Sequence, residues 1–176
     1  MAYEIERKFL ITGDFRPYIA SSYPIRQGYL HTDTGEGCTV RVRTKGNKAF
    51  FTVKGPGSPA GITHSEWEYE IPLADAEEML LLCKGRIIDK IRHEIPCGNF
   101  TFEVDEFLGN NKGLLLAEIE LPSENAAFDR PAWLGEEVTG NRRYYNSQLA
   151  ACPYKGGNKA GWNKNFLINL LKIQKH

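Results

Sequence analysis

The stretch Glu4-Ile5-Glu6-Arg7-Lys8-Phe9 alternates charged side chains at positions 4, 6 and 8 with apolar ones at 5 and 9. Side chains two residues apart in a β-strand lie on the same face of the sheet. Glu4, Glu6 and Lys8 then share one face, and Ile5 and Phe9 share the other. The stretch therefore predicts a β-strand with one ionic face and one apolar face.

Six other segments repeat this alternation, at residues 41–43, 52–54, 66–71, 90–95, 103–105 and 118–121. For any one of them, the simplest interpretation is a strand whose charged face meets water. The charged faces, however, consist almost entirely of Glu, Asp, Arg and Lys, with few of the neutral polar residues usual on a solvated face. Seven such segments favour a barrel that turns its ionic faces inward and its apolar faces outward, against helices and loops.

Turn signals separate the candidate strands roughly every ten residues, a spacing typical of all-β domains. We predict strands at residues 4–12, 25–32, 39–45, 48–54, 65–72, 86–96, 99–107 and 114–121. Short helices are predicted at 74–83 and at about 142–152. The expected fold class is mainly β (α+β), an eight-stranded antiparallel β-barrel, or tunnel, with a few peripheral helices.

Charge divides the chain into two parts. Five of the 22 basic residues lie in 153–176 and none of the 22 acidic residues does, so residues 1–152 carry a net charge of −5. Within the tail, Phe166, Leu170 and Ile173 recur at helical spacing. We predict one domain at 1–152 and a basic amphipathic tail at 153–176, which is helical and docks on the acidic domain. A membrane surface is the alternative partner of the tail.

Location and macromolecular partners follow from the same features. The first ten residues carry charges where a signal peptide needs an apolar segment. No stretch approaches the roughly 18 apolar residues of a membrane span. We therefore expect a cytoplasmic protein without a membrane span. An acidic body binds nucleic acid poorly, so no nucleic-acid partner is expected. The sequence leaves the oligomeric state open.

An ionic tunnel interior predicts charged ligands, because buried charges are costly unless they are paired or coordinated. The basic residues of the alternating segments could enclose a highly anionic ligand, because arginine gives bidentate contacts to phosphate oxygens. The acidic residues would repel that ligand. Hard divalent cations such as Mg²⁺ or Mn²⁺ reconcile the two sets, because they bind carboxylate oxygens on one side and phosphate oxygens on the other. Glu66 and Glu94 lie near predicted strand ends, and we expect them to be solvated.

The order of these residues resembles that of the CYTH domain family, also called the triphosphate tunnel metalloenzymes. Residues 4–8 match the family's N-terminal E-x-E-x-K signature. The later pieces follow in the family's order: Arg41-x-Arg43, Lys54, Glu68-x-Glu70, Lys90-x-Arg92, Glu103-x-Asp105 and Glu118-x-Glu120. The similarity spans about residues 2–151 and looks like the short bacterial branch. It implies an eight-stranded tunnel, a triphosphate ligand and a requirement for Mg²⁺ or Mn²⁺.

Charge and position suggest a role for each candidate residue. The predicted metal ligands are Glu4, Glu6, Glu118 and Glu120. The residues predicted to bind substrate and to take part in catalysis are Lys8, Arg41, Arg43, Lys54, Lys90 and Arg92. Those that could bind a second metal, orient the attacking water or form structural salt bridges are Glu68, Glu70, Glu103 and Asp105.

The resemblance predicts a triphosphatase, a phosphoanhydride hydrolase that converts inorganic tripolyphosphate to pyrophosphate and phosphate. It also allows a thiamine triphosphatase or a class IV adenylate cyclase. Outside enzymes, the alternative is a polyphosphate or nucleotide sensor that binds without cleavage. The acidic pairs argue against a sensor, because binding an anion needs only the basic residues.

Overall fold

The structure, a computed structural model, describes residues 2–32, 37–57 and 63–154. Within these ranges nine strands and two α-helices are present. The helices are α1 (Leu73–Leu82) and α2 (Asn146–Ala151). The strands are β1 (Ala2–Ile11), β2 (Ser21–Thr32), β3 (Thr39–Lys45), β4 (Lys48–Gly57), β5 (Thr63–Ile71), β6 (Ile87–Cys97), β7 (Phe100–Phe107), β8 (Leu115–Glu120) and β9 (Leu134–Glu137).

The strands form one antiparallel sheet in the order β5-β4-β3-β2-β6-β7-β8-β1-β9. The N-terminal half of β1 also pairs with β5, from Ala2 opposite Glu66 to Ile5 opposite Thr63. This short pairing brings the two ends of the eight-strand series together and curls the sheet into a tunnel. β9 pairs with the C-terminal end of β1, on the same edge of β1 as β5. The predicted antiparallel tunnel is confirmed, with a ninth strand of four residues that shows no alternation.

The apolar faces of the strands point outward and most of their side chains are covered, although Trp67 and Tyr69 of β5 are exposed. Phe9, Phe102 and Ile119 pack with Trp133, which lies in the segment after β8. On the other side, α1 covers β3 and β4, and its Ala76 packs in a cluster with the fully buried Val42. The hydrophobic core of this protein therefore lies around the tunnel, as the strand alternation predicts.

Helix α1 packs closely against β2 at Gly28. A Cβ atom at this position would lie 2.5 Å from Cys83 Sγ and 2.8 Å from Ile87 Cδ1. The absence of a side chain lets the end of α1 approach the tunnel wall. None of the helices in the described ranges is long and apolar enough to cross a membrane.

The second predicted helix, at 142–152, is wrong in its first half. A 3₁₀ turn at Arg142–Tyr144 begins where Asn141 Oδ1 accepts a hydrogen bond from the Arg143 backbone N–H at 3.2 Å. Tyr145 is then extended, with φ −71° and ψ 135°, and α2 starts at the next residue. This break turns the chain toward the tunnel. The predicted tail helix lies outside the described residues from position 155 onward.

Candidate active site

A cavity of about 730 Å³ occupies the tunnel. It is lined by alternate residues of the tunnel strands, as expected for side chains that share the inner face. All but two of the predicted site residues line it: Glu4, Glu6, Lys8, Arg41, Arg43, Lys54, Glu68, Lys90, Arg92, Glu103, Glu118 and Glu120. The structure thus brings most of the predicted basic and acidic residues together in one space.

The two exceptions are Asp105 and Glu70. Asp105 is fully buried behind the lining and contacts Lys90 and Arg92. The carboxylate side chain of Glu70 is 56% exposed and pairs with Lys48 at 3.0 Å, outside the cavity. Glu70 lies near the end of β5, beyond the part of the strand that lines the cavity.

Lys8, Lys90, Arg92, Asp105 and Glu118 form what we call the buried ion cluster. The Arg92 guanidinium donates to Asp105 through Nε and Nη2, each at 2.7 Å, and to Glu118 at 2.9 Å. Lys8 Nζ lies 2.8 Å from Glu118, and Lys90 Nζ donates to Asp105. Burial alone would raise the pKa of Glu118, but Lys8 and Arg92 hold it well below its usual range. Every charge in this cluster therefore has a close partner of opposite sign.

Arg41, Arg43 and Glu68 form a different arrangement on β3 and β5, which we call the arginine wall. Arg43 Nη2 donates to both Glu68 oxygens, at 3.0 and 3.1 Å, and Arg41 Nη2 donates to the same carboxylate at 3.3 Å. The Nε atoms of both arginines are buried and lack a hydrogen-bond acceptor in the described part of the chain. Burial, then repulsion from Arg41, lowers the pKa of Arg43. The wall has more cationic donors than acceptors, which favours an anionic ligand.

Facing the tunnel from β1 and β8 are the carboxylates predicted to bind metal. The strand register sets Glu6 opposite Glu120 and Lys8 opposite Glu118. Burial, followed by repulsion from Glu118, raises the pKa of Glu6. Lys54 pairs with Glu4. Glu120 has no ion-pair partner among residues 2–32, 37–57 and 63–154. This side of the cavity, which we call the carboxylate wall (Glu4, Glu6, Glu118 and Glu120), has an excess of negative charge.

The carboxylates fit a hard divalent cation in donor chemistry, because each offers anionic oxygen ligands. Burial and repulsion from Glu118 raise the pKa of Glu6 despite attraction from Lys8 and Lys54, so a bound cation would stabilise its charged form. In the described ranges, however, no three Asp, Glu, His or Cys side chains already converge as a metal site. Phosphate oxygens or water would have to complete the coordination.

Several cavity residues were missed or misplaced by sequence reasoning. Glu66, predicted to be solvated, is only 17% exposed in its side chain and lies near Arg41 and Lys54. It belongs to the same alternation as Glu68, and β5 begins earlier than predicted, so position 66 lies inside the tunnel. Glu94 is half-buried at the strand end, where it accepts hydrogen bonds from Ser21 and Tyr23.

The basic residues Lys45 and Arg142 and several neutral residues complete the lining. Gln27 and Tyr29 face inward from β2, and Gln27 Nε2 donates to the Tyr29 hydroxyl at 2.8 Å. Burial raises the pKa of Tyr29 to about 12, so the phenol is neutral at ordinary pH. Thr139, Tyr145 and Asn146 approach from the segment after β9. No charge alternation marks these three positions, so alternation alone could not place them in the cavity.

Known proteins are similar to this chain over most of its length. The sequence model of the CYTH domain matches residues 2–150. A protein named inorganic triphosphatase from Acetivibrio thermocellus is 49% identical over 156 residues, which are 88% of this chain and 97% of the relative. An inorganic triphosphatase from Nitrosomonas europaea is 40% identical over 151 residues, covering 84% and 96%. The crystal structure of the inorganic triphosphatase NE1496 superposes with a TM-score of 0.62 at 37% identity, covering 85% of this chain and 95% of that one. The residues matched by the CYTH domain model, 2–150, include all the strands that build the cavity.

Proposed function

Because the chain belongs to the CYTH domain family, we propose that it hydrolyses inorganic tripolyphosphate to pyrophosphate and phosphate with the aid of Mg²⁺ or Mn²⁺. The observation that carries the proposal is the pair of opposed walls in one cavity, one with unsatisfied arginine donors and the other with crowded carboxylates. The relatives that cover nearly the whole tunnel domain are named for the same activity.

The arginine wall is suited to the phosphate chain. Arg41 and Arg43 already share one carboxylate, so phosphate oxygens can take up the donors that Glu68 leaves unused. Lys54, Lys8, Lys90 and Arg92 add positive charge around the same cavity. Planar guanidinium groups give two parallel hydrogen bonds to phosphate, which fixes orientation as well as charge.

Glu4, Glu6, Glu118 and Glu120 would hold the divalent cation on the opposite wall. Glu120 and Glu6 are the least strongly engaged of the four. Glu6 lies 3.6 Å from the Lys8 ammonium, whereas Glu118 is held at closer range by Lys8 and Arg92, and Glu4 by Lys54. When bound, such a cation neutralises phosphate oxygens and the charge that develops on them. Glu68 and Glu103 remain candidates for orienting water or for a second cation, while Asp105 acts from behind the lining by holding Lys90 and Arg92.

In the proposed reaction a water oxygen attacks a terminal phosphorus and the bond to the bridging oxygen breaks. Phosphate and pyrophosphate leave, and the proton of the water passes to the surrounding phosphate or solvent. Phosphoryl transfer depends mainly on positioning and on stabilising negative charge over the phosphoryl oxygens. The cationic side chains of the cavity supply donors that are oriented before the reaction begins.

The lining favours an inorganic substrate over the organic alternatives. A nucleotide or thiamine ring needs an aromatic or apolar surface beside the phosphate site. Among the described lining residues the aromatic side chains are Tyr29, which is 4% exposed, and Tyr145. Adenylate cyclase and thiamine triphosphatase activities are therefore second candidates. A non-catalytic sensor would not need the carboxylate wall.

A phosphate-release screen tests the proposal. Tripolyphosphate, ATP and thiamine triphosphate are each offered with Mg²⁺ and with Mn²⁺, and cyclic AMP is assayed in parallel. We expect metal-dependent phosphate release that is fastest with tripolyphosphate. Binding without release would indicate the sensor, and cyclic AMP formation would indicate the cyclase.

A further inference from the structure

The segment from Val138 to Ala151, which we call the capping segment, is fixed to the tunnel at its start. The Val138 backbone N–H donates to the Lys8 carbonyl at 2.8 Å, and the Lys8 N–H donates to Thr139 Oγ1 at 3.0 Å. Thr139 Oγ1 in turn donates to Glu137 at 2.7 Å, and Glu137 accepts from Arg7 Nε at 2.8 Å. Its first residues are therefore tied to the backbone of the strand that carries Lys8.

The end of the capping segment is fixed independently. Leu149 is fully buried in α2, and its carbonyl accepts a hydrogen bond from Asn111 Nδ2 at 3.2 Å. Asn111 also accepts from the Tyr154 backbone N–H at 2.7 Å. Asn111 is itself buried, next to the start of β8. The capping segment thus spans one side of the cavity between two anchors.

Between these anchors, two adjacent side chains reach two different lysines of the site. The Lys8 ammonium lies 5.7 Å from the centre of the Tyr145 ring. The Lys90 ammonium donates to Asn146 Oδ1 at 3.4 Å. Tyr145 and Asn146 both line the cavity, because the extended backbone at Tyr145 separates the 3₁₀ turn from α2.

Each lysine also has a carboxylate partner within the buried ion cluster. Glu118 contacts Lys8, and Asp105 contacts Lys90 from behind the lining. The ring of Tyr145 and the amide of Asn146 are neutral, so they attract an ammonium without competing with a phosphate for its charge.

We propose that Tyr145 and Asn146 are positioning residues that hold the Lys8 and Lys90 ammonium groups toward the phosphate chain. This inference rests on the proposed function and extends it to two residues of the capping segment. They act through the lysines rather than on the substrate. The extended residue at 145 is what allows neighbouring positions to serve two lysines on different strands.

Steady-state kinetics with tripolyphosphate and Mg²⁺ test the proposal. Tyr145→Leu removes the ring and should lower kcat by about 5- to 30-fold with little change in KM, the scale of a desolvated cation–π contact. Tyr145→Phe keeps the ring and should stay within about threefold of the wild type. Asn146→Ala should lower kcat by about fivefold, because its hydrogen bond is long. Asn110→Ala, the same truncation at an exposed turn residue, is the matched control.

A raised KM with unchanged kcat would mean that these residues touch the substrate, and it would overturn the positioning role. Unchanged kinetics in Tyr145→Leu would overturn it as well. Single-turnover measurements in a Lys8→Ala background separate positioning from general loosening. In the Lys8→Ala background, Tyr145→Leu should lower the single-turnover rate little further. Asn146→Ala should lower this rate by the same factor as in the wild type, because it acts through Lys90. Equal further losses from both would argue for loosening.

An activity-independent measurement keeps this inference separate from the proposed function. In isotope-labelled protein, the NMR resonances of the Lys8 side chain should move in Tyr145→Leu and stay in place in Tyr145→Phe. Resonances that do not respond to loss of the ring would refute the contact even if the enzyme is active. A wild-type protein that cleaves no tripolyphosphate would instead refute the proposed function. Melting temperatures identify any variant that fails to fold.

Discussion

The buried ion cluster and the arginine wall are built from the same kinds of residue, yet they differ in how completely their charges are paired. In the cluster, Arg92 donates to Asp105 and Glu118, and little hydrogen-bonding capacity is left over. In the wall, two guanidinium groups share Glu68 and leave their Nε atoms unsatisfied. The comparison indicates that the cluster holds its cations in place through Asp105 and Glu118, whereas the wall keeps arginine N–H groups that have no acceptor in the described part of the chain and that we expect to favour a ligand.

The largest expected effect is on stability and comes from breaking the cluster. Asp105→Ala leaves Lys90 and Arg92 buried without their shared carboxylate, and breaking a buried pair in this way costs about 3–5 kcal/mol. We expect a loss of this size in the free energy of unfolding, measured by urea denaturation.

The exposed pair of Glu70 and Lys48 supplies the control for that experiment. Glu70→Ala should change the free energy of unfolding by less than about 0.5 kcal/mol, as is usual at exposed sites. A similar loss for both variants would show that Asp105 has no special structural part.

The next effect is on catalysis and comes from the carboxylate wall. Glu6→Gln combined with Glu120→Gln keeps the side-chain shapes and removes two charges. Activity with tripolyphosphate and Mg²⁺ should fall by about a hundredfold or more, the scale of losing a preorganised electrostatic group. Near-normal turnover in the folded double variant would place the metal site elsewhere.

The same double variant should not be less stable than the wild type. The raised pKa of Glu6 means that its charged form is unfavourable in the folded state. Near neutral pH and with metal removed by EDTA, neutralising it should leave the melting temperature unchanged or higher.

A smaller effect is expected on substrate affinity when the arginine wall is weakened. Arg43→Ala should raise KM for tripolyphosphate by about tenfold, comparable to one hydrogen bond to a charged group. The dependence on Mg²⁺ concentration should stay the same, because the proposed metal ligands are other residues, on β1 and β8. Arg43→Lys should recover only part of the affinity, since an ammonium cannot form the paired contacts of a guanidinium. A changed metal requirement would contradict the assignment of separate walls.

The smallest effect concerns the pH dependence of stability at Glu68. Its pKa is lowered from 4.5, because attraction from Arg43 and the hydrogen bond from Thr52 outweigh burial. A carboxylate with a lowered folded pKa stabilises the fold above the ordinary pKa, and this contribution is lost as pH falls through the folded value. Glu68→Gln should therefore be less stable than the wild type at pH 7, by under about 1 kcal/mol for this partly exposed group. The difference should disappear in acid urea titrations, and a difference that persists below the lowered pKa would contradict the charge-based explanation.

Alternation was sufficient to predict the tunnel, because the side chains that face its interior are charged and occur at every second residue of a strand. Positions 4, 6 and 8 on β1 and 118 and 120 on β8 all line the cavity. The same rule placed Asp105 on the inner face, but alternation cannot tell a lining carboxylate from one buried behind its neighbours. Glu66 and Glu70 show that strand ends are hard to predict. Both belong to the same alternation on β5, but Glu66 lies inside the tunnel near Arg41, whereas Glu70 is exposed and pairs with Lys48.

The capping segment could not be predicted in the same way. Its position depends on contacts between residues far apart in sequence, such as Val138 with Lys8 and Leu149 with Asn111. Tyr145 interrupts the helix predicted at 142–152. This break depends on the tertiary contacts of the segment and not on local sequence. Neutral residues such as Gln27 carry no pattern that separates a cavity wall from a packed core.

The position of β1 in the sheet has a consequence for how the protein folds during synthesis. All partners of β1 lie later in the chain: β5 closes the ring, β8 lies beside it, and Glu137, which binds Arg7, is 130 residues away. At ribosomal rates of about 5–20 residues per second, roughly 6 to 26 seconds separate the synthesis of Arg7 from that of Glu137. The hairpins from β2 to β5 can form locally in that time, while β1 waits with its unpaired edges accessible. Glu4, Glu6 and Lys8 therefore join the cavity only at the end, so a nascent chain holds no complete site until almost the whole tunnel domain has been made.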